Sequence, residues 1–187
     1  MVNISALRPR YLNIFLWFLA LYALVIVVLH SVGDEKFEHL HLGLDTSNAI
    51  LSLLLAIFLL GERHAIQPNV RSYLIIGFGF ATATELLHAL IGVEWSGWFA
   101  WIEDYSLTLR PATWPPSPYV LPLAMAWVFW LKRRNATLSP ALFAAGMALL
   151  TLGLLALSLY LPRYMDTGIL GIQRPTQTPL LLLWIGV

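Results

Sequence analysis

The sequence predicts an all-α, polytopic integral membrane bundle with five complete spans, a sixth cut short at the end of the sequence, and a cytoplasmic N-terminus. Three observations predict it. Of 187 residues, 59% are hydrophobic and only 11% charged, with a mean hydropathy of +0.74; soluble domains carry roughly 25% charged residues. Apolar runs approach the length of about 20 residues that a helix needs to cross hydrocarbon. Finally, 8 Trp and 7 Tyr suit rings at the depth of lipid headgroups.

Each span has its own warrant. Residues 11–30 form the first long apolar run. The second, 43–61, is polar at its start and apolar after Asn48 but for Ser52. The third, 72–92, is apolar except for Glu85, His88 and four hydroxyl residues. The fourth, 118–131, is short and contains Pro122, which must lie near a helix start or kink the helix. The fifth, 140–161, is long and rich in Ala and Leu, and a sixth run begins at Thr178 or Pro179 and ends with Val187. The first run is too long for a signal-peptide core and lacks a small-residue cleavage motif after it.

Orientation follows from the basic residues. With the N-terminus inside, Arg8, Arg10, Arg63, Arg71, Lys132, Arg133 and Arg134 are cytoplasmic, and only Lys36, Arg110, Arg163 and Arg174 are outside. The loop acids run the other way, with Asp34, Glu35, Glu38, Glu94, Glu103, Asp104 and Asp166 outside. A net charge of +1 gives no case for a nucleic-acid partner, so the expected contacts are membrane lipids. The basic run at 132–134 also suits anionic headgroups.

This topology gathers polar residues at the outer face. Glu85 and His88 lie one turn apart on the third span; His41, Asp45 and Asn48 recur at spacings of four and three on the second, again sharing one face. His30 ends the first span and His39 lies in the following loop, so four of the five histidines meet at one side. Ionisable groups in hydrocarbon are costly and face protein or water. One reading is that they pair and lock the helices together. The other is a pocket whose metal ligands are His41, Asp45, Glu85 and His88. Imidazole and carboxylate suit Zn, Fe or Cu(II) without selecting among them. Axial haem ligation by two of these histidines is a further reading. His30, His39, Trp98 and Trp101 are the candidates for contacting a cofactor.

The single Glu-x-x-His turn at Glu85 and His88 falls short of the paired turns of di-iron bundles. There is no cysteine, no His-Glu-x-x-His and no Gly-x-Ser-x-Gly; Ser117 sits among prolines. No enzyme activity is expected of this segment. The outer loop at 93–117 is expected to hold a short amphipathic helix bearing Trp95, Trp98 and Trp101, either anchored in the headgroups or roofing the pocket. Pro111 through Pro118 is expected to be a stiff extended connection. The whole of 1–187 reads as one domain.

Two stretches, "FEHLHLGLDTSNAILSLLLAIFLL" and "RSYLIIGFGFATATELLHAL", together with the preceding apolar helix, resemble MASE3/MASE4-like membrane-associated sensor domains. These stand N-terminal to bacterial histidine kinases, diguanylate cyclases or phosphodiesterases. The likeness is best over residues 15–92. The family's "LLH" maps onto Leu86, Leu87 and His88, and its polar position in the second helix onto Glu38 or Asp45. The resemblance implies a sensory input domain in a bacterial inner membrane, reporting through its last helix to a cytoplasmic effector and paired as a homodimer. The alternative is a small integral membrane metal- or haem-binding redox protein acting with partner subunits. A third option is a structural subunit whose polar cluster only holds helices together.

Overall fold

The computed structural model describes residues 37–62 and 66–160, with isolated helical positions at Ala20, Leu24, Leu183, Ile185 and Gly186. The chain forms two compact units, Met1–His41 and Leu42–Val187. In the first, every described residue is helical, and the boundary falls inside a continuous helix, α1 (Phe37–Gly61). The second continues with α2 (Pro68–Ile91), a 3-10 turn (Gly97–Phe99), α3 (Ala100–Asp104), α4 (Ser106–Thr113), α5 (Pro116–Arg133) and α6 (Pro140–Tyr160).

The helix α1 has no proline and is dominated by Leu, Ile and Ala. The hydroxyls of Thr46 and Ser47 donate to the carbonyls of Leu42 and Gly43, so these polar groups are satisfied within the helix. Its buried positions Ala49, Ser52, Ala56 and Leu59 recur every three or four residues, while Leu53, Leu54, Ile57, Phe58 and Leu60 are exposed. Such a leucine-covered outer surface is matched to lipid.

Pro68 starts α2 at a position whose amide has no partner inside the helix. Its buried stripe runs Tyr73, Gly77, Ala81, Thr84, His88 and Ile91, the spacing of one helix face. That stripe packs on α5, with α6 closing the other side. The approach is tight where a Cβ on Gly77 would lie 3.0 Å from the Ala124 Cβ, and tighter where one on Gly146 would lie 2.3 Å from the Trp127 ring. Tyr73, Val120, Ala124, Val128, Leu131, Phe143 and Met147 form the core. The Phe143 ring stands 4.7 Å from both Tyr73 and Trp127, centroid to centroid. The Tyr73 hydroxyl donates to the Leu138 carbonyl at 2.6 Å and accepts from the Leu138 amide at 2.8 Å, which pins the α5–α6 turn. The turn opens with Asn135 at φ 50°, and the Asn135 and Ala136 amides reach back to the carbonyls of Lys132 and Leu131. Asn accepts this left-handed conformation more readily than most residues.

The structure corrects the expected architecture of five complete spans plus a truncated sixth. Among the described residues, three helices are long and apolar enough to cross a membrane: His41–Gly61, Pro68–Ile91 and Pro140–Leu159. The expected fourth span, 118–131, lies in α5, which fails on composition. Three prolines, Ser117 and a basic last turn lower its hydropathy, and its apolar stripe is buried in protein. The first and sixth expected spans, 11–30 and the run from Thr178, lie almost wholly outside the described residues. With three membrane-length helices among the described residues rather than six alternating crossings, the count that put the N-terminus inside loses its basis.

The stretch from Pro111 to Pro118 is also helical rather than extended. Pro115 and Pro116 occupy the cap and first position of α5, where a missing N–H removes no hydrogen bond. Pro111 lies inside the short α4.

Candidate metal centre

Helical register sets out the site before any contact between helices is considered. On α1, His41 precedes Asp45 by four residues, so both project from one face one turn apart. Although His41 closes the first compact unit, the unbroken helix itself fixes its place relative to Asp45. On α2, His88 belongs to the buried stripe and is only 3% exposed.

The imidazole of His88 is oriented from behind. Its Nδ1 lies 3.0 Å from the Thr113 hydroxyl at the end of α4. That hydroxyl has one proton, and the carbonyls of Leu109 and Arg110 lie 2.9 and 3.2 Å away to receive it. With the proton spent there, the Thr113 oxygen accepts from His88, which assigns the ring hydrogen to Nδ1. His88 Nε2 then faces the Asp45 carboxylate at 3.7 Å, longer than a hydrogen bond. One donor atom from each of His41, Asp45 and His88 lies within 4.8 Å of the other two.

This group is able to coordinate a metal ion. Donors about 2.0–2.2 Å from a tetrahedral metal stand roughly 3.4 Å from one another. The His88–Asp45 separation of 3.7 Å is close to that value, and a pair at the 4.8 Å limit needs to close by about 1.4 Å to reach the tetrahedral spacing. Thr113 supplies the outer partner that metal-binding imidazoles use to fix tautomer and ring direction. Three donor atoms within 4.8 Å of one another suit a single ion. Axial haem ligation needs two imidazoles opposed across a macrocycle, and nothing in the arrangement supports it.

Glu85 is not in the group of three. It shares a turn of α2 with His88, but it lines a cavity with Ser117 of α5, with the Asp45 carboxylate nearby. Asn48 lines the same cavity as Glu85 and Ser117. His39 is in the first turn of α1, and His30 lies outside the described residues. Trp98 and Trp101 are 96% and 54% exposed on the 3-10 turn and α3. The tryptophan that ties this segment down is Trp95, whose indole donates to the Leu90 carbonyl at 2.7 Å and whose ring packs on Phe99.

Sequence reasoning missed Thr113. It stands 25 residues from His88, in a stretch where prolines conceal a helix, and no spacing rule links the two. Ser117, which the sequence shows only as a serine among prolines, is 5% exposed and lies near Glu85.

Comparison with known proteins adds no relative: no family model, no curated protein and no solved structure matches the chain. The coarse character rests on the molecule itself. It is a helical protein with apolar helices of membrane-spanning length and a His/Asp/His group able to hold a metal ion.

Proposed function

We propose that this protein is a membrane-embedded sensory module of a bacterial inner membrane, in which a transition-metal ion binds His41, Asp45 and His88 and the occupied state is passed to a cytoplasmic effector. The observation that carries this reading is the convergence of the three donors with Thr113 behind His88. Two imidazoles and one carboxylate suit Zn²⁺, Fe²⁺ or Cu²⁺ rather than Mg²⁺ or Ca²⁺, which prefer all-oxygen shells. Two ligands come from α1 and one from α2, so an ion joins the helices at this end.

A ligand shifts a conformational equilibrium only by the difference in its affinity for the two states. Here the difference lies in the spacing of α1 and α2, because only a closed arrangement satisfies all three donors. The small side chains on the buried face of α1, Ala49, Ser52 and Ala56, permit the helices to approach and slide. The resemblance of 37–60 and 71–90 to membrane-associated sensor domains supplies the output: a kinase or cyclase effector, paired in a homodimer.

A second reading has its own observation. With His88 protonated, the 3.7 Å contact to Asp45 is an ion pair that locks α1 to α2 without metal.

Equilibrium dialysis of chelator-stripped protein against Zn²⁺ separates the two. The metal reading expects one equivalent per chain in the wild type and loss of that equivalent in His88→Ala. It also expects Co²⁺ to give the intense visible bands of a low-symmetry, four-coordinate site. Absence of zinc uptake by correctly folded wild type would leave only the ion-pair lock. In the full signalling chain, output that ignores both zinc and His88→Ala would refute the sensory part alone.

A further inference from the structure

One turn away from the three metal ligands lies a separate cavity of about 290 Å³ between α1, α2 and α5. Asn48 follows Asp45 by three residues and Glu85 precedes His88 by three, so both helices lead from the metal group into this space. Its walls differ in chemistry. Asn48, Ser52, Glu85 and Ser117 supply polar atoms, while Leu55 and Phe78 contribute to an apolar side. Ser52 and Ser117 are 9% and 5% exposed, whereas Asn48 and Leu55 are exposed, so the cavity has a buried side and an open one along α1. No Lys, Arg or His lines the cavity. Among the described residues no basic side chain pairs with Glu85, and the neighbouring charge is the carboxylate of Asp45.

A carboxylate within apolar walls, beside a second carboxylate, carries a desolvation cost that a counter-cation offsets. An inorganic cation offsets the charge but makes no apolar contact with Leu55 and Phe78. An alkyl chain or alcohol covers the wall and leaves the charge. We infer that the cavity is a second binding site, for a lipophilic primary ammonium whose head is received by Glu85, Ser117 and Asn48 and whose apolar body lies against Leu55 and Phe78. A primary ammonium has three donors and no acceptor, which matches three oxygen acceptors. The ammonium of a phosphatidylethanolamine headgroup has the same chemistry but brings a phosphate toward two carboxylates with no basic residue in the lining. The free amine therefore fits better.

The test is thermal unfolding of the chelator-stripped protein in phosphatidylcholine nanodiscs, titrated with n-octylamine and with n-octanol. Stripping the metal keeps the outcome independent of the metal reading. Octylamine is expected to raise Tm saturably with an apparent affinity about tenfold or more above that of octanol, the scale of one charge-assisted hydrogen bond. Glu85→Gln, nearly isosteric, should bring the amine down to the alcohol's level. Leu55→Trp, which fills the cavity without touching the charge, should remove the response to both. Repeating the titration in phosphatidylethanolamine nanodiscs identifies the source of the ammonium. A free-amine site keeps its response there, and loss of it with a raised starting Tm means that the lipid headgroup already occupies the cavity. Equal shifts from amine and alcohol in the wild type, or a preference for amine that survives Glu85→Gln, would overturn the assignment.

Discussion

The two ends of α2 bury the same helix face and use it in opposite ways. Around Tyr73 and Gly77 the stripe meets Ala124, Val128 and Phe143, and its one polar group, the Tyr73 hydroxyl, both donates to and accepts from Leu138. Around Thr84 and His88 the stripe meets α4 and α1. Thr84 turns its hydroxyl back to Phe80 and Ala81, whereas His88 reaches out to Thr113 and Asp45. The first end is complete as protein. The second presents an oriented imidazole to a carboxylate across a gap that a hydrogen bond does not close. In lipid the hydrophobic effect does not drive helices together, so close packing and polar contacts do. One end of α2 relies on packing, and the other holds its polar contacts at a spacing suited to an ion.

The largest expected effect sharpens the packed end. Phe143→Ala removes a ring that is 0% exposed between Tyr73 and Trp127. It should cost about 3–5 kcal/mol, measured by reversible unfolding in detergent, and leave the metal stoichiometry of the folded fraction unchanged. Loss of metal in parallel would mean that the two ends are not separable. Next, Thr113→Val removes the acceptor behind His88 while keeping the shape of the side chain. Metal affinity should fall about 10- to 100-fold, read by competition with a chromophoric chelator, and an unaltered affinity would remove Thr113 from the site.

Smaller effects follow from contact distances. Gly77→Ala places a methyl 3.0 Å from Ala124 and should destabilise by about 1 kcal/mol. Gly79→Ala, on the same helix with open space at that position, should be neutral or slightly stabilising as a helix propensity gain. If both behave alike, the close approach of α2 and α5 is wrong. The smallest effect is Trp98→Ala. With the ring 96% exposed, the change should stay within about 0.5 kcal/mol and leave metal affinity untouched. A strong effect on affinity would restore the tryptophan as a roof over the site.

How much of this was legible in the sequence depended on whether a pattern was local. The three membrane-length helices were visible as apolar runs. So was the pairing of His41 with Asp45, because helical spacing alone places them. The run 118–131 misled because an apolar segment of about 14 residues fits a protein-buried helix as well as a short span. Hydropathy does not distinguish burial by lipid from burial by α2 and α6. The short α3 and α4 were hidden because Pro111, Pro115 and Pro116 read as breakers, although two of them sit at a helix start. Spacing placed Glu85 beside His88, yet only the position of α5 shows that Glu85 shares a cavity with Ser117. Thr113 left no local trace, since its role depends on a contact across 25 residues.

The most direct measurement is the X-ray absorption spectrum at the zinc edge of the zinc-loaded protein. A first shell of nitrogen and oxygen at about 2.0–2.1 Å is expected, with outer-shell scattering from two imidazole rings that drops to one in His88→Ala. A zinc shell without imidazole scattering, or a spectrum unchanged by His88→Ala, would contradict a metal centre at His41, Asp45 and His88.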